Sequence, residues 1–127
     1  MPLAQVAQHA DDLDRASDFY AKLLGRGPIA RFDPPGLLFF DLGGTRLLLE
    51  TGAPSAMLYL LVDDVQSRIE ELRAEGVSIE GEAHIIFEDT EGTFGEAGID
   101  EWMAFIRDSE GNLVGLVSRH PHVEMIG

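Results

Sequence analysis

The sequence predicts an α+β fold, with a βαβββ unit written twice and both helices packed on one side of a mixed sheet. Two segments carry the amphipathic spacing and caps of helices, and their capping acids lie about half a chain apart. Each segment is preceded by one strand-like run and followed by three. No linker rich in Ser or Pro separates the copies, so one domain over residues 1–127 is expected, with module one at about 1–52 and module two at about 55–120.

The first copy opens with the run PLAQVAQHA. The helix DDLDRASDFYAKLLGRG follows, capped by Asp11 or Asp12, with Leu13, Ala16, Tyr20 and Leu23 on one face, widened by Phe19 and Leu24, and Gly25 as its stop. PIARFD, GLLFFDL and TRLLLE read as strands, divided by the turns DPPG and GG. The second copy begins with SAMLYLLV. Its helix, DDVQSRIEELRAEGV, is capped by Asp63 or Asp64, turns Val65, Ile69 and Leu72 to one side and ends at Gly76. VSIEGEAHIIFE, DEWMAFI and NLVGLVS complete it, the last two joined by the turn formers Asp108 to Asn112.

A hydrophobic content of 45% with 25% charged residues is that of a globular chain with one core. No apolar run approaches the ~20 residues of a membrane span, and the N-terminus lacks the basic and apolar regions of a signal peptide, so a cytoplasmic location is expected. The absence of cysteine excludes disulfides, thiolate metal sites and a cysteine nucleophile. A net charge of −14 with only nine Lys and Arg argues against nucleic acid. Six of the acids, Glu88, Asp89, Glu91, Glu96, Asp100 and Glu101, crowd the stretch EDTEGTFGEAGIDE, which lacks the regular alternation of a calcium loop and reads as a solvated hairpin loop or a mobile lid.

Gly115 interrupts the strand NLVGLVS. A glycine there costs about 0.5–1 kcal/mol relative to alanine, and marks either close packing or sheet curvature, or a place where something approaches the backbone.

The doubled pattern, the opening DLDRASDFYAKLLG, the VDDV before the second helix and the closing FIRDSEGNLVGL together resemble the vicinal oxygen chelate superfamily of glyoxalase I, bleomycin-resistance proteins, extradiol dioxygenases and methylmalonyl-CoA epimerase. The resemblance covers nearly the whole chain. It implies curled mixed sheets around an open, half-barrel-like cavity, and commonly a homodimer. Metal-using members place four ligands, one on the first and one on the last strand of each module. Counted from the matched motifs, these positions are Gln5, Glu50, Met57 and Gly115. Gln5 and Glu50 could bind a metal, whereas a thioether suits soft copper and glycine has no side chain. The resemblance therefore implies a pocket without its ion, with no cofactor expected, and it gives Gly115 a role in opening space in the cavity.

Strand alternation puts Gln5, Ala7 and His9 on one face, as it does Arg46, Leu48 and Glu50, then Met57, Tyr59 and Leu61, and Leu113, Gly115 and Val117. Comparison with the superfamily turns Met103 and Phe105 inward and leaves Trp102 against the helices or at the rim. The expected ligand-binding residues are Gln5, His9, Arg46, Glu50, Met57, Tyr59, Met103, Phe105 and Gly115, a largely apolar lining suited to a small organic molecule. Glu50 is notable because a buried carboxylate without a partner is costly; the alternatives are a strand-end acid that reaches water or an ion pair with Arg46. His9 matches a position that holds a basic substrate contact in glutathione-using relatives, and it is an acid–base candidate. His84 reads as a cavity-mouth or strand-capping residue, and His120 and His122 as parts of a solvated tail. The leading expectation is a metal-independent protein that binds an aromatic or cationic compound. The alternatives are a metal-dependent lyase, isomerase or dioxygenase, a cofactor-free acid–base enzyme using Glu50 and His9, or a dimerising module with a filled cavity.

Overall fold

A computed structural model describes residues 2–124 and divides the chain into two compact units. The first is Met1–Met57 with Asp108–Asn112, the second Leu58–Arg107 with Leu113–Gly127. The boundary differs from two contiguous modules in one respect, because the turn 108–112 belongs to the first unit while its flanking strands belong to the second.

The first unit contains β1 (Gln5–His9), α1 (Leu13–Leu24), β2 (Ala30–Phe32), β3 (Leu37–Asp41) and β4 (Arg46–Glu50). Its sheet has the order β1-β4-β3-β2, with β1 parallel to β4 and the other pairs antiparallel. Asp12 caps α1 by accepting the Arg15 N–H at 3.0 Å, and Gly25 ends it at φ 72°, a conformation glycine adopts without a Cβ penalty. The helix lies on β3 and β4, where Ala16 and Tyr20 are sealed with Leu38, Phe40, Leu47 and Leu49. Alternation along the strands explains the choice, since the intervening Leu37, Phe39, Arg46 and Glu50 turn to the other face.

The second unit repeats this arrangement with β5 (Leu58–Leu61), α2 (Val65–Ala74), β6 (Ile79–Asp89), β7 (Ile99–Arg107) and β8 (Leu113–Pro121), in the order β5-β8-β7-β6. Asp64 caps α2. Val65, Ile69 and Leu72 are buried on the same side as Ala104, Ile106, Val114 and Leu116. The Val65 N–H donates to Ser118 Oγ at 3.0 Å, fastening the start of α2 to β8. The α+β class and doubled βαβββ order are therefore those predicted. Among the described residues, no helix is long and apolar enough to cross a membrane.

The acidic stretch is corrected. Glu88 and Asp89 end β6, Asp100 and Glu101 lie in β7, and only residues 90–98 form the connection. Cross-strand hydrogen bonding extends both strands past the point where the polar sequence suggested a loop. The mobile-lid reading gives way to a fastened loop: Asp89 accepts the Thr93 and Phe94 N–H groups at 2.6 and 3.0 Å and Arg119 Nη2 at 2.8 Å. These donors, the Phe94 N–H foremost, hold the Asp89 carboxyl below the usual carboxylate range. The tail reading is corrected too, since His120 lies in β8 and the His122 N–H donates to the Gly98 carbonyl at 2.9 Å.

Candidate functional site

On the first sheet, the face away from α1 presents two polar ends. Parallel pairing sets Gln5 opposite Arg46 and His9 opposite Glu50. At one end Arg46 Nε donates to Gln5 Oε1 at 3.0 Å. Asp41 also lies opposite Arg46, but its carboxylate accepts Arg26 Nη1 at 3.0 Å and the Gly44 N–H at 2.9 Å. The guanidinium of Arg46 is thus paired with a neutral amide. Around it lies a depression of about 250 Å³ lined by Gln5, Ile29, Ala30, Phe32, Phe39 and Arg46. Phe32 and Phe39 pack edge to face, with centroids 6.0 Å apart at 80°.

At the other end His9 Nε2 lies 2.8 Å from Asp11 Oδ1. That hydrogen bond is the main reason the His9 imidazole titrates above its ordinary value. Glu50 is half-buried beside it. The pairing of Glu50 with Arg46 considered from sequence is absent among the described residues, because four residues of strand separate them, ~13 Å. Gln5 and Glu50 are offset by the same amount on adjacent strands. Atoms that share an ion lie ~2 Å from it. With the Gln5 oxygen already engaged by a cation, Gln5 and Glu50 do not form half of a metal site.

On the second sheet, Tyr59, Gly115 and Phe105 stand in one cross-strand row. A Cβ on Gly115 would lie 2.7 Å from Tyr59 Cδ1 and 3.3 Å from Phe105 Cε1. Gly115 is thus closely packed against Tyr59 and Phe105, on a face where the Tyr59 ring remains 55% exposed. Met103 is on the same face, opposite Val117 and His84, and His84 Nδ1 is 2.9 Å from the Glu82 carbonyl. Trp102, its neighbour in sequence, turns to the helix side. Met57 precedes β5 and lies outside the strand expected to carry it. The four motif-derived metal positions therefore do not fit an ion.

Sequence reasoning read Asp108 to Asn112 only as turn formers. Within the first unit they are a clasp. Asp108 accepts the Tyr20 hydroxyl at 2.6 Å and the Asn112 N–H at 2.7 Å, while Asn112 Nδ2 donates to the His9 carbonyl at 2.7 Å. Burial, then the Asp108 carboxylate, pushes the Tyr20 phenol upward. Glu110 accepts Arg15 Nε at 2.7 Å and the Asp11 and Asp12 N–H groups at 2.9 Å each, and Arg15 leads the causes that bring its carboxyl down to about 2. The signal was the joint spacing of the DLDRASDFY and RDSEGN motifs, whose members meet here.

A family model described as "Glyoxalase/Bleomycin resistance protein/Dioxygenase superfamily" matches residues 3–116. Among solved structures, the chain is similar to a lactoylglutathione lyase from Agrobacterium tumefaciens, with TM-score 0.68 and 23% identity, covering 92% of each chain. It is also similar to a superfamily member from Sphaerobacter thermophilus, with TM-score 0.71 and 18% identity over 93% of this chain and 97% of that one. A glyoxalase-related enzyme from Fulvimarina pelagi gives TM-score 0.69 and 18% identity over 93% and 88%. At these identities the likeness shows the fold. No curated protein matches the chain.

Proposed function

The chain belongs to the Glyoxalase/Bleomycin resistance protein/Dioxygenase superfamily, and on that footing we propose that it binds a small planar aromatic compound bearing an acidic group, without a metal at that site. The observation that carries this reading is Arg46, whose guanidinium is paired among the described residues only with the amide of Gln5, at 3.0 Å, beside the Phe32 and Phe39 rings. The rings and Ile29 supply apolar walls, and the guanidinium supplies a fork for a carboxylate. The same positive charge opposes a metal ion at Gln5 and a cationic ligand. The net charge of −14 favours cations at long range, but screening beyond ~8 Å at physiological salt leaves the local guanidinium to decide.

The acid–base alternative draws on the His9–Asp11 pair beside Glu50. Those groups stand ~13 Å from Arg46, too far for a compound seated on Phe32 to reach them, so we assign binding rather than catalysis. Exposed apolar side chains, among them Phe32, Tyr59 and Leu61, support a homodimer, and light scattering is expected to give a dimer mass.

Calorimetric titration with 1-naphthoate and with 1-naphthylmethylammonium tests the binding reading. The acid is expected to bind, the amine to bind at least tenfold more weakly, and Arg46→Met to lose roughly 10–100-fold for the acid, the worth of a charge-assisted pair. Equal binding of both probes, or indifference to Arg46→Met, would overturn it.

A further inference from the structure

The helix side of the second sheet carries a group of side chains that the site above does not use. Antiparallel register sets Glu88 opposite Asp100, and Asp100 opposite His120. His122, two residues further along, returns to the same face and is positioned by its N–H bond to Gly98. One oxygen each of Glu88 and Asp100 and one nitrogen of His122 all lie within 4.8 Å of one another.

Two features make this more than a patch of acids. Like charges directly opposite on neighbouring strands repel, and here one of them, Asp100, has a side chain only 6% exposed. Its ion-pair partner among the described residues is His122, at 2.8 Å, while Arg119, on the neighbouring strand, is committed to Asp89. Beside the cluster there is also a cavity of about 470 Å³, lined by Asp100 and His120 together with Ile85, Trp102, Val123 and Asp64 from the cap of α2. Of the three clustered side chains, the buried Asp100 also lines that cavity, so the cluster adjoins a space able to admit a ligand.

We propose that Glu88, Asp100 and His122 bind a divalent first-row cation, with Zn²⁺ the best match, whose remaining coordination is completed by water or by a ligand entering the adjoining cavity. Carboxylate oxygen and imidazole nitrogen are both zinc ligands, the imidazole favours zinc over magnesium or calcium, and three protein ligands leave a fourth position open. Tetrahedral ligands ~2.1 Å from zinc stand ~3.4 Å apart, so side-chain movements of ~1 Å bring these atoms onto an ion. The proton between His122 and Asp100 leaves to solvent as the ion takes its place. This departs from the expectation of a metal-free protein, which counted only the positions derived from the family motifs.

The test is zinc titration in 0.15 M NaCl by calorimetry, with Co²⁺ absorption as a second readout of ligand geometry. The parent is expected to hold one equivalent per chain. Glu88→Gln and His122→Gln, both at exposed positions that leave folding intact by circular dichroism, should each weaken it at least tenfold, and together abolish it. Arg46→Met should bind zinc as the parent does. Absence of stoichiometric zinc in the parent, or binding undiminished in the double variant, would defeat the proposal.

Discussion

The ring of Tyr59 lies over the backbone of Gly115, with its Cδ1 2.7 Å from where a Cβ would stand. Phe105 meets that ring edge-on at a centroid distance of 6.3 Å. The aromatic side chain thus replaces the packing that the glycine gives up, and the glycine replaces the clash that any other residue would create. Gly115→Ala is therefore expected to destabilise the protein by ~1–3 kcal/mol, the usual cost of overpacking. Adding Tyr59→Ala should recover part of the loss. Urea melts of the parent, the single variants and the double variant read this directly, and purely additive effects would show that the ring and the glycine do not interact.

Glu110 is a helix-capping anion supplied from far along the chain. Its side chain is fully buried against Arg15, in the first turn of α1, and the Asp11 and Asp12 N–H groups just ahead of the helix. The carboxyl falls from 4.5 to about 2 on folding, so its contribution is complete above pH ~4.5 and is lost as pH drops toward 2. Allowing for solvent screening, that contribution is ~1–2 kcal/mol. Glu110→Gln should cost about this much at neutral pH and flatten the stability profile between pH 4.5 and pH 2. An unchanged acid limb in the variant would assign the loss to other carboxylates.

The helices, the succession of strands along the chain and the shared face of Arg46 and Glu50 were legible because each rests on local pattern: one of the two acids before each helix caps it, Gly25 and Gly76 stop, and alternation turns Arg46 and Glu50 together. What the sequence hid depends on register between distant strands. Nothing local says that Gln5 faces Arg46 rather than Glu50, or that Tyr59 faces Gly115. Glu88, Asp100 and His122 were visible only as loop acids and a tail histidine, because strand extension from β6 to β8 is set by pairing and not by composition. The role of Glu110 was equally nonlocal, since a turn former gives no sign of the helix it caps.

The His9 imidazole is held by Asp11 at 2.8 Å, and this hydrogen bond outweighs the effect of burial in raising its titration above 6.5. A raised folded value means that the pair stabilises fully below the unfolded value and that this help fades as pH rises through the folded one. Histidine-resolved NMR titration is expected to show His9 above the ordinary value, and Asp11→Asn to bring it down. A midpoint unmoved by Asp11→Asn would show that the carboxylate does not hold the ring in solution.

Gln8 is the last test, because it breaks a rule that the rest of the first unit obeys. It stands on β1 between the outward-facing Ala7 and His9 and is wholly buried; its amide approaches the Tyr20 hydroxyl, which donates to Asp108 at 2.6 Å, but neither amide atom makes a well-formed hydrogen bond among the described residues. A buried amide left unsatisfied costs ~1–3 kcal/mol, whereas an apolar group of the same shape carries no such penalty. Gln8→Met keeps nearly the same volume and should raise stability by ~1 kcal/mol, seen as a melting temperature higher by roughly 3–5 °C. Gln8→Ala provides the contrast, since it also removes the polar atoms but leaves a cavity beneath α1, and it should be destabilising. If Gln8→Met melts lower than the parent by a similar margin, the amide is engaged in solution and its burial is a satisfied one.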